Sequence, residues 1–185
     1  MIQGGLAMTT MEATLTRNTV APLSSHENGE GMIDYKTEHI LSFTGHLPRN
    51  AEVIGPVPEG VRVNFYNAGG EFTGPRLRGK LREGAGGDWF TVRKDGMGLL
   101  DVRATFETDD GALIFITYQG FADLGEDGYD KFLQEGPPRV VHSRISPRFL
   151  TSHPKYLWLN RLHCFGVGVY EAATSSATYD IYAIR

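Results

Sequence analysis

Asp88, Asp101, Arg103 and Tyr118 are the side chains whose types and spacing could do chemistry. A carboxylate in an apolar cavity holds its proton more tightly because its charged form is desolvated, so it can act as acid or base. A nearby arginine pulls the other way and can hold an anionic oxygen. Proton transfer next to a carbonyl needs such a pairing. On this reading Asp101 is the acid or base and Arg103 the anion stabiliser, with Tyr118 and Asp88 as supporting hydrogen-bonding groups. Trp89, Tyr156 and Trp158 would form apolar walls, and Asn160 would orient a polar ligand atom. His142, like His163, lies on an expected strand and could carry a proton, since a free imidazole titrates near neutrality. The competing reading leaves Asp101 and Arg103 on a solvated strand face, as an ion pair contributing about 0–1 kcal/mol. It makes the Tyr156–Asn160 stretch a plug that seals one end of a barrel.

Other chemistries lack their spacing. The histidines form no H-x-H, H-x-x-x-H or H-E-x-x-H pattern, so no metal is expected. The glycine pairs at 69–70 and 86–87 lack the strand-to-helix setting of nucleotide loops, and there is no Gly-x-Ser-x-Gly elbow, so no cofactor is expected. Cys164 is the single cysteine, on an apolar stretch with His163 turned to the opposite face, which reads as a buried, inert thiol. Arg76, Arg78, Lys80 and Arg82 alternate along one strand face and read as a solvated outer surface.

The elements that must position these groups are short strands. From Gly98 to Glu107, Leu100, Val102, Ala104 and Phe106 fall on one face, and Asp101, Arg103, Thr105 and Glu107 on the other. Asp109-Asp110-Gly111 turns the chain tightly, and an apolar strand returns from Ala112 to Gly120. Further strands are expected at about 36–45, 61–67, 77–82, 89–93, 139–145, 162–170 and 178–184. Gly55-Pro56 reads as a turn, and Ser146-Pro147 as the interruption of a strand. One helical turn is expected near 129–133 inside an acidic loop at 123–136, and a short helix follows Pro154. About nine strands with almost no helix predict an all-β sandwich or barrel.

In order along the chain, GGEFTGPRLRGKL, Gly87-Asp88-Trp89, Leu100-Asp101-Val102-Arg103, the Thr108–Ile114 turn and Pro154–Asn160 resemble domain of unknown function 3237, also called uncharacterised protein family 0311. The resemblance covers about residue 36 to the C-terminus. It implies a closed antiparallel β-barrel, lipocalin-like (calycin-like) in its capacity to enclose a small molecule, with one short helix. It implies no particular activity. The N-terminal extension and the acidic 123–136 segment depart from the usual compact members.

Residues 1–34, rich in Thr, Ser, Gly and Asn, show no periodicity and are expected to be a flexible extension, with one domain over 35–185. A net charge of −4 gives no reason to expect nucleic acid as a partner. No stretch approaches the roughly 20 apolar residues of a membrane span, and the start lacks a secretory pattern, so the expected location is the cytoplasm. The expected partner is a small hydrophobic or aromatic ligand, and homo-oligomerisation is a general expectation. The functional expectation is a cofactor-independent isomerase, lyase, hydratase or cyclase using acid–base chemistry on an apolar, aromatic or polyketide-like carbonyl compound. The alternative is a carrier barrel that binds the same compound unchanged.

Overall fold

The computed structural model describes residues 33–48 and 51–185. The expected N-terminal extension lies outside the described residues except for Ile33 and Asp34. Tyr35–Arg185 forms one compact unit of eleven strands: β1 (Thr37–His46), β2 (Glu52–Val57), β3 (Gly60–Tyr66), β4 (Gly70–Thr73), β5 (Arg78–Leu81), β6 (Gly87–Val92), β7 (Met97–Thr108), β8 (Leu113–Asp123), β9 (Val140–Leu150), β10 (Cys164–Glu171) and β11 (Ser176–Ile184). One α-helix, α1 (Gly128–Glu135), precedes β9, and a 3₁₀ helix spans Pro154–Arg161.

All pairings are antiparallel. Running β7-β5-β4-β1-β11-β10-β9-β8, the sheet closes where β8 meets β7, giving an eight-stranded barrel with no open seam. β7 is long enough to serve two neighbours on one edge. Its last residues pair with β5, while Gly98–Arg103 pair with β6, which carries β3 and β2 outward as an extra flap of wall. Alternation along β7 puts Leu100, Val102, Ala104 and Phe106 inside and leaves Asp101, Arg103, Thr105 and Glu107 outside, because only the apolar set can fill the lumen without unpaired charges.

Two strands not expected from sequence appear, and one is longer than expected. β2 contains Gly55-Pro56, which a central strand would not tolerate. It is the terminal strand of the flap, where the missing proline N–H leaves no ladder bond unmade, and a bulge between Val53 and Gly55 absorbs the irregularity. β4 begins at Gly70, whose φ of +146° brings its backbone so close to Thr44 that a Cβ would sit 2.0 Å from the Thr44 carbonyl oxygen. β9 runs through Pro147 to Leu150, since Pro147 lies beyond the last residue paired with β10, Ile145.

The two barrel ends close differently. At the β7–β8 turn, the 3₁₀ helix is clamped by Asp110, whose carboxylate accepts hydrogen bonds from Thr108 Oγ1 (2.5 Å), Tyr156 OH (2.9 Å) and Lys155 Nζ (2.6 Å). Those donors, Lys155 foremost, hold the Asp110 carboxyl far below the ordinary carboxylate range. Above this plug, Phe72 stacks on Phe106 at 4.7 Å and Phe106 meets Phe43 edge-on at 5.4 Å, filling the lower lumen. At the β6–β7 turn the barrel is capped by α1, whose Phe132 faces Phe90 at 6.2 Å. Among the described residues no helix is long and apolar enough to cross a membrane.

Candidate functional site

Between the aromatic floor and α1 the barrel encloses a cavity of about 110 Å³. Its wall is mostly apolar, with Phe43, Phe65, Phe90 and Phe106 prominent; deeper polar groups are Asp88, Tyr118, Ser143 and Tyr179, and His46, Asn67 and Arg103 also border it. Two rows of paired residues bring the deeper groups together. Asp88, Val102 and Tyr118 stand opposite one another on β6, β7 and β8, and directly opposed residues share a face. Ser143, Gly168, Tyr179 and Phe43 do the same across β9, β10, β11 and β1. Gly168 is small for a reason: a Cβ there would lie 2.2 Å from the Tyr179 ring. The ring lies across that gap, stacks on Phe43 at 4.9 Å, and its hydroxyl accepts a hydrogen bond from Ser143 Oγ at 3.3 Å.

Asp88 sits where the sheet is interrupted. Pairing of β6 with β7 holds at Gly87–Arg103 and Asp88–Val102, lapses over the next two positions, and resumes in the same register at Thr91–Leu99. At the lapse, Asp88 Oδ1 accepts the Asp101 backbone N–H at 3.0 Å, and the Trp89 carbonyl accepts Arg62 Nη1 at 2.6 Å. Burial pushes the Asp88 carboxyl from the ordinary 3.8 up to about 7. The Asp101 N–H and the Arg62 charge oppose this, while the Asp101 charge adds to it. Burial also drives the Tyr118 phenol well above its ordinary value and Tyr179 to about 12, and the neighbouring Asp88 charge pushes both the same way. Near neutrality the cavity therefore holds one carboxyl poised to gain or lose a proton beside two phenols that keep theirs.

A family model described as "Protein of unknown function (DUF3237)" matches residues 35–184. The chain belongs to that family. It is 29% identical over 151 residues to a UPF0311 protein of Rhodopseudomonas palustris strain TIE-1, covering 80% of this chain and 96% of that one. The DUF3237 barrel superposes on the crystal structure of a beta-barrel-like protein from Acinetobacter baumannii AYE with a TM-score of 0.70 at 26% identity, covering 85% of this chain and all of the other. An enzyme from Penicillium herquei shares the fold at 20% identity and a TM-score of 0.58, over 85% of this chain and all of that one.

Of the residues singled out from sequence, the DUF3237 barrel brings Asp88 and Tyr118 into the cavity, leaves Arg103 at its border, and sets the others apart. Asp101 and Arg103 form an ion pair at 3.2 Å on the outer face, their side chains 40% and 49% exposed. Trp89 follows Asp88 on one strand and so must face outward, where the Arg103 guanidinium lies 5.3 Å from its ring. His142 is turned out between the inward Val141 and Ser143. Tyr156, Trp158 and Asn160 belong to the plug at the opposite end: Tyr156 is held by Asp110, Trp158 lies under Arg76, and Asn160 bonds both the N–H and the carbonyl of Thr151. Cys164 is buried and its thiol is pushed up to about 11 by desolvation. Among the described residues no three His, Cys, Asp or Glu side chains converge as metal ligands. Tyr179 and Ser143 were missed from sequence; the signal for Tyr179 was its place in the inward alternation with Ile181 and Ala183.

Proposed function

We propose that this barrel is a cofactor-independent acid–base enzyme acting on a small apolar carbonyl compound, with Asp88 rather than Asp101 as the proton-transfer group. The observation that carries this reading is a single carboxyl raised to about 7 inside an aromatic cavity that also holds two neutral phenols. Asp88 Oδ2 takes a proton from the carbon next to the carbonyl. The C–H electron pair moves into the new C=C bond, and the C=O pair moves onto oxygen as an enolate. The Tyr118 and Tyr179 hydroxyls donate hydrogen bonds to that oxygen as its charge develops, which is where fixed donors in a dry site act most strongly. Where the substrate carries a C=C at the β,γ position, the enolate is a dienolate: Asp88 returns the proton to the γ carbon, the C=O re-forms from the oxygen pair, and the C=C moves to the α,β position, an isomerisation with atoms and charges balanced and no co-reactant.

The test is catalysed hydrogen–deuterium exchange at the benzylic carbon of phenylacetone, followed by proton NMR in D₂O. The wild-type protein is expected to accelerate exchange over buffer, and Asp88→Asn to lose about 10²–10⁴-fold of that rate. Equal exchange by wild type and Asp88→Asn refutes the assignment. Binding of the ketone without any acceleration by wild type selects the carrier reading instead.

A further inference from the structure

Outside the cavity, between the rim of the barrel and α1, lies a second recess of about 550 Å³. Leu47, Phe65, Phe132, Pro137 and Tyr170 belong to both spaces, so these five side chains are the partition between them. Beyond the partition the recess is walled by Val53, Val61, Val63 and Leu133, and among the described residues no charged side chain contributes. Val53 and Leu133 are 66% and 44% exposed, so the recess opens to water with apolar walls. The inner cavity alone has the size of one ring: an engineered apolar cavity of about 150 Å³ takes up benzene.

We propose that the recess is the second half of the ligand site, so that the ligand is a single-ring carbonyl head joined to an uncharged apolar tail that passes Phe132 into the recess. The assignment of the head to the inner cavity rests on the proposed role of Asp88; the assignment of the tail rests on the recess itself. The chemistry agrees. Asp88, Tyr118 and Tyr179 lie on the inner side of the partition, and the larger volume, outside it, is walled mainly by aliphatic side chains that a hydrocarbon would cover, with Ser175 as a polar residue at its edge.

The partition is built to yield. α1 is fixed at its start, where Gly128 packs so closely on Leu124 that a Cβ would lie 2.6 Å from the Leu124 Cβ, and Leu124 N–H donates to the Gly96 carbonyl at 3.1 Å. Its other end terminates at Gly136, with φ of +81° and open space around it, followed by Pro137-Pro138. A helix held at one end and released through glycine at the other can swing Phe132 aside.

The experiment uses 4-hydroxyphenyl ketones with acyl chains of two, four, six and eight carbons as probes, titrated calorimetrically into the full chain. Full burial of a methylene corresponds to about fourfold in affinity, so wild type is expected to tighten at least about tenfold from the two- to the six-carbon ketone. Val53→Glu combined with Leu133→Glu changes only exposed wall positions; it should abolish the dependence on chain length and leave the two-carbon ketone unchanged. Equal affinities across the series in wild type, no binding of any member, or undiminished length dependence in the double variant overturns the proposal. Deuterium exchange and the length dependence, both read on wild type, separate the two readings: tightening along the series without accelerated exchange removes only the role of Asp88, and accelerated exchange without tightening removes only the recess.

Discussion

Replacing Asp88 by Asn should make the protein more stable at alkaline pH and leave it unchanged in acid. Asn keeps the shape and the oxygen that accepts the Asp101 N–H, so the substitution removes the titration and little else. The folded-state value of about 7 lies above the ordinary 3.8. The folded protein therefore holds this proton more tightly than the unfolded chain does. Below about pH 4 both states are protonated and the wild type carries no penalty. As pH rises from about 4 to about 7, the unfolded chain loses the proton while the folded state resists, and wild-type stability falls. Above about 7 the cost is complete and constant. Three units at about 1.4 kcal/mol each set a ceiling of about 4 kcal/mol. Relaxation of the surrounding dipoles toward the charged form offsets part of this, which brings the expected difference to about 2–4 kcal/mol. For a barrel of this size that is a gain in Tm of about 5–12 °C for Asp88→Asn near pH 8.5, vanishing near pH 4. Thermal unfolding followed by circular dichroism across that range measures it without any substrate. Parallel Tm profiles for the two proteins would refute the claim that Asp88 is held in a desolvating cavity, and with it the acid–base reading.

Three other outcomes are expected. Gly168→Ala forces the Tyr179 ring off its place on β10; near-UV circular dichroism should change and ketone exchange fall by at least about tenfold, and an unaltered rate would show that the Tyr179 hydroxyl does not touch the reacting oxygen. Tyr156→Phe removes the hydroxyl that donates to Asp110 at the plug; Tm should drop by about 2–6 °C with ketone exchange unchanged, and a loss of exchange would mean that the plug end communicates with the site. The buried Cys164, with its thiol raised to about 11, should react with Ellman's reagent at neutral pH only after unfolding; prompt reaction of the folded protein would contradict its burial.

Much of the fold was legible because strand alternation and turn chemistry are local. The β7–β8 hairpin follows from Leu100, Val102, Ala104 and Phe106 alternating with charged residues and from Asp-Asp-Gly at its tip. β2 and the far end of β9 were not legible, because whether Pro56 and Pro147 break a strand depends on which neighbour stands at that position, a property of the closed sheet. The site was half legible. Asp88 and Tyr118 were picked out by type, but the central role fell to Asp101 because Asp101 and Arg103 make an obvious charged pair in one strand. Facing was the missing fact. Once Val102 points inward, the Arg103 side chain turns to the outer face, and the carboxylate that faces the cavity is the one paired with Val102 on β6. Tyr179 and Ser143 come from strands far along the chain and meet only because Gly168, between them, has no side chain.

The broken ladder beside Asp88 ties the sheet to the chemistry. An inward carboxylate in a continuous sheet would have to compete with backbone carbonyls for its partners, and it would be held to the wall or left unpaired, at a cost either way. Here the register is kept on both sides of the lapse, so the interruption is no slip; two backbone groups have exchanged partners. The Asp101 N–H goes to the carboxylate and the Trp89 carbonyl goes to the Arg62 guanidinium. One donor is enough to hold Asp88 in position, and too few to fix it as an anion against its burial. Arg62 reaches the wall from the flap strand β3 and is spent largely on a carbonyl, so its charge moderates the carboxyl without forming an ion pair with it. A direct Arg–Asp bridge at this place would drive the carboxyl down into the range where it is only a charge. Holding the group by one backbone donor, with the cation one step removed, keeps it near neutrality, where the same side chain can both take and return a proton.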